Sequence, residues 1–259
     1  MTQPKTLTER AGGSRWYIHP DTGERVPGVT SILNQLPKPF LKPWGEKLVA
    51  QEAVKNLPYV QGIVSNSGED AAVDFLKGAA YRYTRKASNL GSAAHSIFEA
   101  LATGQPVGTV TDDVKPFVRQ FQNFLDTVQP EFLLNEESVW SDTHSYGGSF
   151  DSIAKIDGQT VVMDYKTSKD AHGETALQLA AYAHADYVLK AGLHRAELPK
   201  VDRGVILHIS NANPNKWALY EVPIDGAVFG YFLALREVFK WSLIERKILG
   251  KPLLQGAAA

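Results

Sequence analysis

The chain of 259 residues contains no cysteine. That absence excludes disulfides, thiol nucleophiles, zinc–thiolate sites and cysteine-held iron–sulfur clusters together. Any metal must therefore sit on oxygen or histidine ligands. A dominant charge of one sign is also missing: 27 Lys and Arg against 28 Asp and Glu leave a net charge of −1. A nucleic-acid partner would have to be held by local patches, because the field of the whole chain gives no basic attraction. No apolar run reaches membrane-spanning length, and there is neither an internal repeat nor a glycine-rich phosphate loop of the nucleotide-binding type. Met1 to Gly13 is polar, without the apolar stretch of a secretory signal. The expectation is a cytoplasmic protein, cellular or virus-encoded and acting in the host cytoplasm, with no membrane partner.

What is present divides into a helical first half and a strand-rich second half. Residues 1–15 read as a weakly ordered leader, followed by a hairpin of Arg15 to Ile18 and Val26 to Val29 around Pro20-Asp21-Thr22-Gly23. Pro43-Trp44 opens a helix, 58–68 reads as loop, and helical spacing resumes over Glu69 to Ala80. Another helix begins near Ser88, and Asp112-Asp113 starts one with Phe117, Phe121 and Phe124 at core spacing. Phe132 to Trp140, Gly148 to Ile156 and Gln159 to Thr167 read as a three-strand meander, with Asp157-Gly158 as a two-residue turn. Glu174 to Leu189 returns to helical spacing, Val201 to Ser210 and Trp217 to Pro223 are strand-like, and Asp225 to Leu249 closes the chain as a helix. Trp140, Trp217 and Trp241 are expected in the core, and the terminal Gly-Ala-Ala-Ala as a frayed tail. The fold class is α/β: a mixed central sheet flanked by helices, with a mostly helical N-terminal elaboration.

The turn at Asp157-Gly158 sets up the chemistry. Asp151 lies six residues before it and Asp164 six after, so the two carboxylates are expected to face each other across the hairpin. Asp164 and Lys166 share a strand face, while Tyr165 points oppositely and leaves its carbonyl near the site. Two close carboxylates repel unless a cation lies between them. Hard oxygen ligands suit Mg²⁺ or Mn²⁺, and an ammonium beside them neutralises charge developing on a phosphate. Taken alone, an Asp-x-Lys pattern is most often a surface ion pair.

Two companions accompany it. In Leu90 to Glu99, His95 and Glu99 share a helix face; the imidazole is a competent Mn²⁺ ligand, or a residue packed under the sheet. Gln178 and Tyr182 lie one turn apart on the helix after the Lys166 strand, where they could bond a phosphate or line the polar rim of the core.

In this order, the His95 helix, Gly147-Gly148-Ser149-Phe150-Asp151, Asp164-Tyr165-Lys166-Thr167 and Gln178 to Tyr182 resemble the PD-(D/E)XK nuclease superfamily. The likeness is to RecB-like exonucleases, including phage-encoded ones, and covers roughly residues 88–190. Val29 to Leu33 followed by Pro43-Trp44 resembles the lead-in of phage members. The resemblance implies a restriction-endonuclease-like αβββαβ core over 87–250, an elaboration over 1–86 packed on it, and a tail over 251–259. It implies His95, Asp151, Asp164 and the Tyr165 carbonyl as metal ligands, Lys166 as the catalytic lysine, and Gln178 and Tyr182 beside them. Many relatives carry an iron–sulfur cluster that this cysteine-free chain cannot hold, and Asp164 stands where the family often has Glu.

The expected activity is hydrolysis of DNA phosphodiesters by a Mg²⁺- or Mn²⁺-dependent exonuclease in replication, recombination or repair, acting at a free or single-stranded end. The reading allows for a replication or recombination partner protein. The alternatives are a structure-specific endonuclease and a non-catalytic DNA-binding scaffold. Tyr81-Arg82-Tyr83-Thr84-Arg85-Lys86 interleaves cations with aromatics, so Tyr81, Arg82, Tyr83, Arg85 and Lys86, together with Lys169, are candidate DNA contacts; Lys38, Lys42 and Lys47 are further ones.

Overall fold

The computed structural model of the chain describes residues 7–190, 194–254 and 256. Residues 1–6 of the expected leader and 257–259 of the expected tail lie outside these. The elements run β1 (Leu7–Ala11), β2 (Ser14–Ile18), β3 (Arg25–Pro27), α1 (Val29–Leu33), α2 (Leu41–Lys55), α3 (Leu57–Ser67), α4 (Glu69–Lys77), α5 (Ala79–Ala102) and α6 (Lys115–Val128). They continue with β4 (Glu131–Asn135), β5 (Ser138–Ser141), β6 (Tyr146–Ser149), β7 (Ser152–Ile156), β8 (Gln159–Lys166), α7 (Thr175–Ala183), β9 (Tyr187–Leu189), β10 (Arg195–Ala196), β11 (Arg203–Ile209), β12 (Trp217–Val222) and α8 (Gly226–Ile248).

The molecule is organised by a mixed five-strand sheet in the order β12-β11-β8-β7-β4, in which only the β8–β11 pair is parallel. Both faces are covered, which is why β8 carries the unbroken apolar run Val161-Val162-Met163 where a half-exposed strand would alternate. On one face, Ile153, Val162 and Ile206 pack against Leu179 of α7 and Phe229, Phe232 and Phe239 of α8. On the other, Ala154, Met163, Tyr165 and Leu207 meet Phe98 of α5 and Phe117, Phe121 and Phe124 of α6. Burying each such aromatic stabilises the fold by roughly 1.5–3 kcal/mol. A four-strand antiparallel sheet, β10-β9-β5-β6, and the N-terminal sheet β1-β2-β3 complete the strands. The N-terminal sheet is joined to the rest at the Gly28–Gly147 bridge.

Several expectations are corrected by non-local contacts. Leu7–Ala11 of the expected leader is a strand, because Gly12 and Gly13, both at positive φ, turn it back onto β2. Residues 58–68, expected as loop, form α3; it buries no residue completely, so an apolar stripe did not announce it. Tyr81–Lys86 lies within α5, which is continuous from Ala79, so residue 86 is not an element boundary. The stretches 132–140 and 148–156 are each divided between two sheets. Glu136, at φ 49, turns the chain from β4 into β5, and Phe150-Asp151 separates β6 from β7. The expected helix 174–189 ends at Ala183, and Tyr187–Leu189 is a buried strand. Trp140 is fully buried and Trp217 packs on Phe124, but Trp241 is half exposed because α8 runs on beyond its last deeply buried aromatic, Phe239. Among the described residues, no helix is long and apolar enough to cross a membrane.

Candidate metal centre

Helix α5 crosses the end of β8 at Gly91, where a Cβ would stand 3.1 Å from the Thr167 hydroxyl. One turn later, the helix presents His95, whose Nδ1 lies 3.2 Å from Asp151 Oδ1. Asp151 occupies the bend before β7. Its other carboxylate oxygen accepts the Tyr165 N–H, and its carbonyl accepts the Glu136 N–H at 2.9 Å. One residue thus ties together α5, β8 and the β4–β5 connection.

The hairpin register follows the local turn. Asp157 and Gly158 both have positive φ, 49° and 76°, and Ser152 pairs with Met163, which sets Asp151 at the level of Asp164. Asp164 is almost fully buried; Lys166 Nζ lies 2.6 Å from its Oδ2, and Gln178 donates to its Oδ1 at 2.9 Å. The same Gln178 amide nitrogen donates to the Tyr182 hydroxyl at 2.9 Å. Tyr165 joins the site through its backbone. Its ring lies in the core against His95, Phe98 and Phe121, and its hydroxyl donates to Ser152 Oγ.

His95, Asp151 and Glu136 each offer a ligand atom, all within 4.8 Å of one another, and Asp164 stands outside that group, facing Lys166 and Gln178. Glu136 was not selected from the sequence. Its one signal was the acidic pair Glu136-Glu137 interrupting an apolar strand run, and only the turn into β5 brings it to His95.

The charged groups of the site shift one another's protonation. Burial alone would lower the His95 pKa, but Asp151, which is both charge and hydrogen-bond partner, raises it to about 9, with Asp164 and Glu136 adding. Burial works against ionised Asp151, yet His95, the Tyr165 N–H and Lys166 together hold its carboxyl below the usual carboxylate range. Asp164 goes the other way: burial pushes it up to about 6, the Asp151 charge adds, and Lys166 only partly offsets this. In the metal-free protein, a proton on His95 balances Asp151. The donor set fits a hard divalent cation with one imidazole tolerated, as Mn²⁺ and Mg²⁺ sites allow. Any such ion would compete with that proton.

The remaining sequence candidates are dispersed. Tyr182, expected to reach a phosphate, is buried and instead steadies Gln178. Arg82 is engaged by Glu52 at 3.0 Å, by the Phe75 carbonyl and by the Phe75 ring, tying α5 to α2 and α4. Tyr81 and Tyr83 are mostly exposed, and the Tyr83 ring packs edge-on to Trp44. Arg85 and Lys86 line a cleft of about 400 Å³ with Asn89 and Thr111. Lys86 precedes His95 by nine residues, half a turn round the helix at 3.6 residues per turn, so it sits on the opposite face of α5. Lys38 pairs with Glu174 at 3.0 Å, and Lys169 lines a second cleft beyond β8.

Gly148 positions this machinery indirectly. A Cβ there would stand 2.5 Å from the Tyr182 ring and 3.0 Å from Val29, both buried. Gly148→Val is expected to cost about 1–3 kcal/mol by overpacking, lowering the melting temperature by several degrees; a shift under one degree would show that the contact yields freely.

No protein-family model and no curated protein matches the chain. Among solved structures, that of SSO0001 is similar over 51% of this chain, with 17% identity and a TM-score of 0.27. The alignment spans 57% of SSO0001, little more than half its length.

Proposed function

We propose that the chain is a Mg²⁺- or Mn²⁺-dependent DNA exonuclease with a PD-(D/E)XK-type core. The observation that carries this reading is the convergence of His95, Asp151 and Glu136 beside the Asp164–Lys166 pair. The large sheet and its flanking elements, taken as α6-β4-β7-β8-α7-β11, agree in order with an αβββαβ core.

A divalent ion held by His95, Asp151 and Glu136, with Asp164 and the Tyr165 carbonyl as neighbouring oxygen donors, would lower the pKa of an attacking water and polarise the phosphate. The rest is performed by the chain's own groups. Lys166 supplies a compact positive charge for the phosphate oxygens as negative charge builds on them. Gln178 holds Asp164 in orientation, and Tyr182 holds Gln178. Asp151 fixes the distance between α5 and the hairpin by accepting from both His95 and the Tyr165 N–H. A non-catalytic scaffold would have no need for buried carboxylates that repel each other and DNA.

End-labelled linear DNA, single- and double-stranded, and a closed circle, each incubated with Mg²⁺, Mn²⁺ or EDTA, test the reading. Linear strands are expected to be degraded with either metal and spared in EDTA, with the circle intact throughout. Digestion of the circle would replace exonuclease with endonuclease, and inertness toward every DNA in both metals would overturn the deoxyribonuclease reading.

A further inference from the structure

One strand beyond Lys166, the same face of the sheet opens into a cleft of about 640 Å³ between the β8–α7 connection and the β11–β12 hairpin. The size is that of a small-molecule site. In the parallel β8–β11 ladder, His208 is the register partner of Lys166, so its side chain lies on the Lys166 face. Its Nε2 lies 2.9 Å from the Ser168 carbonyl, which fixes the imidazole at the cleft wall next to the candidate centre.

The lining has two chemistries. Lys169 and Lys216 are both exposed, and no ion pair involving either ammonium occurs among the described residues. Of the two acidic residues in the lining, Glu221 is neutralised by Arg203 at 3.2 Å, and Asp170 is the other. Tyr220, on the edge strand β12, is 48% exposed, and its ring lies 6.4 Å from the His208 ring. Trp217 also borders the cleft, but its ring turns to the other face of β12, against Phe124, with its indole N–H donated to Asn123. Unpaired ammoniums beside an accessible aromatic face are what a single strand requires: charge for the phosphates and a platform for a base. Tyr220 lies two inter-strand spacings from β8, about 10 Å at about 4.8 Å each, within reach of the nucleotides that flank a phosphate at Lys166.

We infer that this cleft seats a single-stranded DNA segment flanking the scissile phosphate, with Lys169 and Lys216 on its backbone and Tyr220 stacked on a base. The inference rests on the nuclease reading for its orientation, yet it makes a claim about binding that does not require turnover.

Lys216→Glu and Tyr220→Ala separate the two. Binding of a short fluorescein-labelled oligothymidylate in EDTA, read by anisotropy, is expected to weaken about tenfold in the first, with a shallower salt dependence. It is expected to weaken roughly fivefold or more in the second. Hydrolysis of the p-nitrophenyl ester of thymidine 5′-phosphate with Mn²⁺, a substrate too short to reach β12, is expected to be unchanged in both. A bromodeoxyuridine-substituted strand is expected to photo-cross-link to the peptide carrying Tyr220. Wild-type affinity in both variants overturns the inference, as does loss of small-ester turnover in parallel with strand binding. Should the wild-type protein bind the strand through Tyr220 but hydrolyse neither substrate, the cleft stands and the nuclease reading falls.

Discussion

Asp164→Asn is expected to lower DNA hydrolysis by about 10³-fold while making the EDTA-treated protein harder to melt. The loss of activity follows from removing a buried charged ligand beside Lys166, and single groups that stabilise transition-state charge are worth about 10²–10³ in rate. The gain in stability follows from the pKa. Burial and the neighbouring Asp151 raise the Asp164 carboxyl to about 6, against about 3.9 in an unfolded chain. A carboxylate whose pKa is raised on folding contributes its stability below the unfolded value and loses it as pH rises through the folded one. Wild type therefore bears a penalty that grows between about pH 4 and 6 and is constant above. Asparagine keeps the acceptor for Gln178 without that penalty. Denaturant melts in EDTA are expected to show the variant more stable by on the order of 1 kcal/mol at pH 7.5 and equal to wild type at pH 4. A variant less stable at pH 7.5 would mean that Lys166 compensates the buried charge completely.

Lys166→Ala is expected to fall in activity by at least about 10²-fold, with the opposite effect on stability. Its ammonium is the near partner of Asp164 at 2.6 Å and also helps to keep Asp151 ionised. Without it, Asp164 takes up a proton at neutral pH, which limits the damage to the order of 1 kcal/mol where an uncompensated buried charge would cost several. The two residues contact each other, so the double variant should depart from additivity. Once Asp164 is neutral, removing Lys166 is expected to cost little further stability. A Lys166→Ala protein that cleaves DNA at the wild-type rate would remove the proposed site, while additive stability effects would show the pair to be uncoupled.

The contrast between these variants depends on features that the sequence revealed unequally. Asp157-Gly158 demands a two-residue turn whose backbone only a few residue types adopt readily, and that turn alone aligns Asp151 with Asp164. The two-residue period of a strand then places Lys166 beside Asp164, and the helical period places His95 and Gln178 on definite faces. These are short-range consequences of backbone sterics, and they were legible. Glu136 was not, since its approach to His95 requires β4 and β5 to enter different sheets. That division is decided by which distant strands supply the hydrogen bonds. The same cause hid β9 inside an apparently helical run, where pairing with β5 and β10 overrides local spacing.

Lys86 makes the limit plain from the other side. Its charge and its closeness in sequence to His95 suggested a shared role, yet half a helical turn puts it on the face turned toward Thr111. Sequence by itself determined the α/β class, the hairpin and the residue types able to meet a cation and a phosphate. Only the tertiary structure decided that Glu136 joins His95 and Asp151, that Gln178 orients Asp164 while Tyr182 is buried behind it, and that the open cleft lies beyond Lys166 along β11 and β12. Local periodicity fixes where a side chain points on its own element, whereas packing of distant elements fixes what it meets.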